Sequence, residues 1–141
     1  MKILVPFDGS DNALRALRQV LDRQGWYREQ PQVHVVNVQL PVASGAVKMF
    51  ISADQLRDYY EEEGEKALQR AREVLQSAGV PHHVRIAVGD IAATLAQYAT
   101  DNGCALIVMG TRGMGALGNM LLGSVASKVI HLAAQPVLLV K

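Results

Sequence analysis

Five glycines fall within 14 residues where the chain reads Gly110-Thr111-Arg112-Gly113-Met114-Gly115-Ala116-Leu117-Gly118-Asn119 and, further on, Leu122-Gly123-Ser124. Each glycine costs backbone entropy on folding, so such density calls for an offset. Close approach of backbone N–H groups to an anion is a natural one. Gly123-Ser124 adds a hydroxyl donor and exposed amides near the positive end of a helix dipole. These features together point to a phosphate chain; a turn-rich loop without a ligand is the other reading. There is no Gly-x-x-x-x-Gly-Lys-Ser/Thr, so a P-loop lysine is not expected. The run Gly113-Met114-Gly115-Ala116-Leu117-Gly118 matches Gly-x-Gly-x-x-Gly, but it does not follow the first strand and lacks the acid about 20 residues later that a dinucleotide fingerprint requires.

A second candidate stretch, Pro6-Phe7-Asp8-Gly9-Ser10, closes the first apolar run. Asp8 is the obvious metal or base candidate, with a plainer reading as a helix-start neighbour of Ser10. Arg112 is the obvious cation, and a solvent-facing loop charge is its alternative. His34, His82, His83 and His131 have no recognisable triad or metal-ligand spacing, and core or surface roles are expected for them. Phosphoryl transfer needs a metal, a positioned nucleophile and charge stabilisation, so the residues point to a binding module rather than an enzyme.

The elements that must position these residues are legible as alternating periods. Apolar runs begin at Ile3, Val33, Val84, Ala105 and Val137, the first and fourth nearly continuous as in strands covered on both faces. Arg85 interrupts the third, which is expected nearer an edge, and His82 and His83 are expected to precede it. Four amphipathic helices are predicted between the strands. The first follows an N-cap at Ser10. The second starts near Ser52 or Asp54 and closes at Gly79. The third follows Asp90, and the fourth begins near Asn119 and stops before Pro136. Strict β-α alternation implies an α/β fold with a parallel sheet and right-handed crossovers. Ligands in such sheets sit beyond the carboxyl ends of the strands, where the strand order reverses. Residues 40–53 form the one long connection. Its apolar Val42, Val47, Met49, Phe50 and Ile51 suggest a packed flap, with a disordered loop as the alternative.

The spacing Gly110, Gly113, Gly123, Ser124 is Gly-x2-Gly-x9-Gly-Ser, and it resembles that of the nucleotide-binding universal stress proteins. The likeness spans residues 1–141 as a single domain: a first strand ending Pro-Phe-Asp-Gly-Ser, a long second helix and a final Pro-Val-Leu-Leu-Val strand. It implies a Rossmann-like three-layer α/β/α fold with a five-stranded parallel sheet in the order 3-2-1-4-5. ATP, or another adenine nucleotide, with or without magnesium, would lie across the ends of strands one, two and four. Asp8 would lie near ribose and phosphates, and near any magnesium ion carried by the nucleotide. Pro6 and Phe7 would line the adenine side, and Val38 would pack on the base. Met109, Gly110, Arg112 and Gly113 would flank ribose and phosphates, and Gly123, Ser124, Val125 and Ala126 would bring amides and one hydroxyl to the phosphate chain. At Ala126 some relatives carry a second hydroxyl, so one phosphate contact is expected to be missing. The resemblance further implies a homodimer through antiparallel pairing of Val137–Val140 with its copy. A nucleotide-dependent regulator or sensor in stress response, acting on an unidentified protein partner, is the function implied. A weak ATPase and a scaffold without nucleotide are the alternatives.

Bulk composition agrees with that scale. The chain has 141 residues, half of them apolar, and a net charge of +1 from 14 basic and 13 acidic residues. That balance creates no field for nucleic acid or an acidic membrane, and neither partner is expected. No apolar stretch approaches the roughly 20 residues of a membrane span, and Met1-Lys2-Ile3-Leu4-Val5-Pro6 is not expected to be a leader, so a cytoplasmic location is predicted. Cys104, the one cysteine, sits in an apolar run and is expected to be a small buried hydrophobe. Glu61-Glu62-Glu63 reads as a solvated helix face, with Glu62 four residues before Lys66.

Overall fold

The computed structural model describes residues 1–42, 45–113 and 122–141. Strand β1 (Lys2–Pro6) shows why the sheet needs cover on both sides: Ile3, Leu4 and Val5 are all fully buried. Successive strand side chains point to opposite faces. Ile3 and Val5 therefore join one core, with Leu14 and Leu17 of α1 (Asp11–Leu21) and Leu68 and Leu75 of α3 (Ala53–Ala78). Leu4 joins the other, with Leu95 of α4 (Ile91–Asp101) and Val129 of α5 (Ser124–Leu132). Full burial of each such aliphatic side chain contributes roughly 1.5–3 kcal/mol.

With β2 (Gln32–Gln39), β3 (His82–Val88), β4 (Leu106–Gly110) and β5 (Val137–Val140), the sheet has the order β3-β2-β1-β4-β5. Every pairing is parallel, with Ile3 opposite Val33 on one side and Leu106 on the other. The chain thus builds outward from β1 to β3, then returns to the far side of β1 with β4. The reversal lies between β1 and β4, where the rule for open parallel sheets puts a ligand. The five-stranded α/β fold in the order 3-2-1-4-5 is as the resemblance implies, and β3 is indeed an edge strand.

Local signals set the helix ends. The Ser10 hydroxyl accepts from Ala13 N at 3.1 Å, and Asp90 Oδ1 accepts from Ala93 N at 3.0 Å. Ser52 and Gln55 form a reciprocal capping box, and Gly79 ends α3 with φ of 62°, a left-handed conformation that suits glycine. Lys66 meets Glu62 and Glu63 on the solvated face of α3, and Cys104 is buried.

Three expectations change. First, the connection after β2 contains a short helix, α2 (Gly45–Phe50), and its Met49, Phe50 and Ile51 are exposed rather than packed as a flap; the side chain of Val47 lies outside the described residues. Met49 and Phe50 are 83% and 86% exposed, because a helix of under two turns ending where α3 begins does not carry them to either core. Second, β3 starts at His82, since Val33 pairs with His82 and His34 with His83. The ladder to β2 extends the strand past the point where apolar alternation begins. Third, α5 begins at Ser124, capped by Gly123; Asn119 lies outside the described residues. A 3-10 turn, Gln24–Trp26, was not anticipated.

Candidate functional site

At the reversal point lies a cavity of about 410 Å³, within the roughly 300–1,000 Å³ of ordinary ligand pockets. The residues that the resemblance assigned to the nucleotide line it: Pro6, Phe7 and Asp8 at and after the end of β1, Val38 on β2, Met109, Gly110, Arg112 and Gly113 around the end of β4, and Gly123, Ser124, Val125 and Ala126 at the start of α5. Two loops, a position on β2 and a helix start, distant in sequence, meet here because β1 and β4 are neighbours.

The β1 side is tightly tied. Phe7 N donates to Val36 O at 2.9 Å, and Asp8 Oδ1 accepts from Ser10 N at 3.0 Å. Asp8 is thus both a turn residue beside Ser10 and a wall of the cavity, so its two sequence readings are compatible. Gly9 has φ of +86°, a backbone state that a side chain would strain. Arg70 of α3 braces this turn from outside, reaching Gly9 O at 3.3 Å and Asp11 Oδ1 at 2.8 Å.

On the β4 side, Thr111 N donates to Val140 O, and Gly123 N donates to Thr111 O at 2.7 Å. That second bond draws the start of α5 against the strand end. The helical ladder then begins with Ser127 N donating to Gly123 O. The N–H groups of Ser124, Val125 and Ala126 have no carbonyl one turn back within the helix, and all three residues line the cavity. They form a seat for a negative charge at the positive end of the helix.

Space also explains the glycines. A β-carbon at Gly110 would stand 2.8 Å from Asn12 Cβ and 3.0 Å from its backbone carbon and oxygen. At Gly113 it would lie 2.9 Å from Asp8 Oδ2, and at Gly123 3.3 Å from Thr111 O. Glycine here lets neighbouring parts of the protein approach each other as well as leaving room for a ligand. Gly115 and Gly118 lie outside the described residues.

The remaining wall is apolar: Val36, Val38, Ile91, Leu95 and Met109. Asp8 and Arg112 are the charged residues among the described lining, and Ser124 is exposed at its rim. The pairing of an apolar wall with a helix-end amide seat suits a ligand with a flat apolar part and an anionic tail. An adenine nucleotide has that shape and chemistry. Sequence reasoning missed Ala13, Val36, Ile91, Leu95 and Thr111 as lining residues. Their types are those of ordinary core, so only register could have found them: Val36 lies two residues before Val38 on the same strand face.

The histidines stand apart from the cavity. His34 is buried on β2, its Nδ1 is 2.8 Å from the Tyr98 hydroxyl, and Nε2 has no partner among the described residues. Burial, then His83 and Lys2, push its pKa below the usual histidine value. Burial pushes the Cys104 thiol up, which disfavours the reactive thiolate. Among the described residues no group of three or more His, Cys, Asp or Glu could hold a metal ion, and no helix is long and apolar enough to cross a membrane.

Fold and site together define a doubly wound parallel-sheet protein with a cavity at its switch point. The chain belongs to the universal stress protein family, whose model matches residues 1–141. It is 35% identical to universal stress protein MJ0531 of Methanocaldococcus jannaschii over 99% of this chain and 81% of that protein. The solved structure of MJ0577, from the same organism, superposes with a TM-score of 0.84 at 30% identity, covering 99% of this chain and 94% of that one. The same fold occurs in a universal stress protein solved in complex with cAMP (TM-score 0.65, 23% identity, covering 100% and 97%) and in one from Arabidopsis thaliana with AMP bound (TM-score 0.69, 18% identity, covering 100% and 91%).

Proposed function

We propose that this protein is an adenine-nucleotide-binding regulatory module of the cytoplasm, with ATP as its ligand. The observation that carries the reading is the convergence of an apolar wall from β2, β4 and α4 with the first-turn amides of α5 at Ser124, Val125 and Ala126. The base would pack on Val38 and Met109, the ribose would lie near Asp8, and the phosphates would take the α5 amides and the Ser124 hydroxyl. Arg112 would offset phosphate charge at the rim. A magnesium ion carried on the phosphates would find one carboxylate ligand in Asp8, as such ions keep most of their other positions for phosphate and water. The cAMP- and AMP-bound relatives support an adenine nucleotide as the ligand class.

Binding rather than turnover is the activity proposed, because the described lining offers a single carboxylate and a single cation for phosphoryl transfer. Occupancy would be read by a protein partner or by a second copy of the chain. For the latter, β5 is an edge strand with Leu138 40% exposed, and antiparallel pairing with its copy would satisfy the open edge.

The test is to purify the protein, denature it, and measure released nucleotide by mass spectrometry, with ATP titration calorimetry on the emptied protein. Released adenine nucleotide or a saturable ATP isotherm supports the reading. Empty protein that neither binds ATP nor gains thermal stability from it would sink the proposal. Sustained phosphate release abolished by Asp8→Ala would replace the binding module with an ATPase.

A further inference from the structure

Asn37 is a buried polar residue set among valines on β2. Its Nδ2 donates to the Phe7 carbonyl at 2.8 Å, while Oδ1 meets no donor among the described residues. The carbonyl half of its buried amide is thus unpaired among the described residues, so the amide is an inefficient stabiliser of the core. The place of its one bond says what else it does. The β1–β2 ladder ends at Pro6 opposite Val36, Phe7 N still donates to Val36 O, and the chain then leaves the sheet at Asp8. The Asn37 side chain supplies a donor to Phe7 O where the regular ladder has stopped.

Holding that carbonyl holds the whole Phe7–Asp8 peptide plane, because carbonyl and N–H are rigidly linked across it. That plane sets where Asp8 N and Cα stand, and so the point from which its side chain leaves the backbone. Its carboxylate is then placed between Ser10 N and the bare backbone of Gly113. Asn37 itself is on the opposite strand face from Val36 and Val38, which line the cavity, and it is not part of the lining.

We infer that Asn37 is a positioning residue for the nucleotide site, aiming Asp8 from behind the sheet through the Phe7 carbonyl. The inference rests on the nucleotide reading of the cavity given above. Asn37→Leu removes the donor, and with it the idle Oδ1, so the opposing effects leave the empty protein's unfolding midpoint within a few degrees of the parent.

The experiment is a double-mutant cycle on ATP affinity, by titration calorimetry, with Asn37→Leu made in the parent and in Asp8→Ala. Expected is a loss of about tenfold in the parent and less than about twofold in the Asp8→Ala background, the non-additivity of residues acting through one another. A merely structural asparagine would weaken both backgrounds equally, and that result overturns the inference, as does unchanged affinity in the parent. Asn37→Val, matched to its neighbours in shape, serves under the same criteria where the leucine variant does not fold. A parent protein that binds no adenine nucleotide overturns the nucleotide reading and this inference together. A parent that binds ATP while the variants bind equally well overturns this inference alone.

Discussion

A β-carbon on Gly113 would lie 2.9 Å from Oδ2 of Asp8, so the loops after β4 and β1 meet with a carboxylate pressed against bare backbone. The group that must give way is the end of a side chain, which moves at little cost to folding. Gly113→Ala is therefore expected to leave the unfolding midpoint nearly unchanged while turning the carboxylate aside. ATP affinity should fall about tenfold, equivalent to about 1.4 kcal/mol. Calorimetric titration beside a thermal melt checks both halves. Gly25→Ala, where a β-carbon would meet nothing within 4 Å, is the control expected to change neither.

Gly110 behaves differently although it lines the same cavity. Its missing β-carbon leaves room for Asn12, including backbone atoms of α1 that cannot swing away. Gly110→Ala should cost about 1–3 kcal/mol of stability, the range for overpacking a well-fitted contact. Urea unfolding followed by circular dichroism measures it. A variant as stable as the parent would mean that α1 and β4 are not held at this separation.

His34 predicts an acid limb in stability. Burial, then His83 and Lys2, hold its folded pKa below the unfolded value of about 6.5, so the unfolded chain binds the extra proton. Stability from the neutral ring is fully present above that unfolded pKa and declines as pH falls below it, by at most about 1.4 kcal/mol per pH unit for one proton. The Tyr98 hydroxyl, 2.8 Å from Nδ1, also faces the ring. Measured unfolding free energies should rise from pH 5 to about pH 6.5 and level off above it. The slope should flatten in His34→Gln.

Leu138 tests the assembly proposed through β5. One chain weighs 15.3 kDa. Light scattering should report about twice that mass for the parent if edge strands pair, following the two-fold symmetry usual for homodimers. Leu138→Glu should run as the single chain, because paired edge strands would bring two buried carboxylates together. A parent already monomeric at high concentration would remove the dimer from the reading.

Much of this protein is decided by its sequence alone, because the deciding interactions are short-range. Strands follow from short, nearly continuous apolar runs and helices from a 3.6-residue apolar period, and the caps at Ser10, Ser52, Asp90 and Gly79 each act within one turn. The glycine spacing from Gly110 to Gly123 likewise marks where backbone must come close to something. What it comes close to is a tertiary matter. Asn12 packs on Gly110, Asp8 lies against Gly113, and Thr111 receives Gly123, contacts created when β4 returns to lie beside β1. The same distance defeats sequence reasoning at Asn37, whose partner Phe7 lies just past the end of β1, and at Met49 and Phe50, apolar residues with no core within their reach. Periodicity says which face a residue occupies; only the folded sheet says which backbone stands opposite, since that depends on strand order and register.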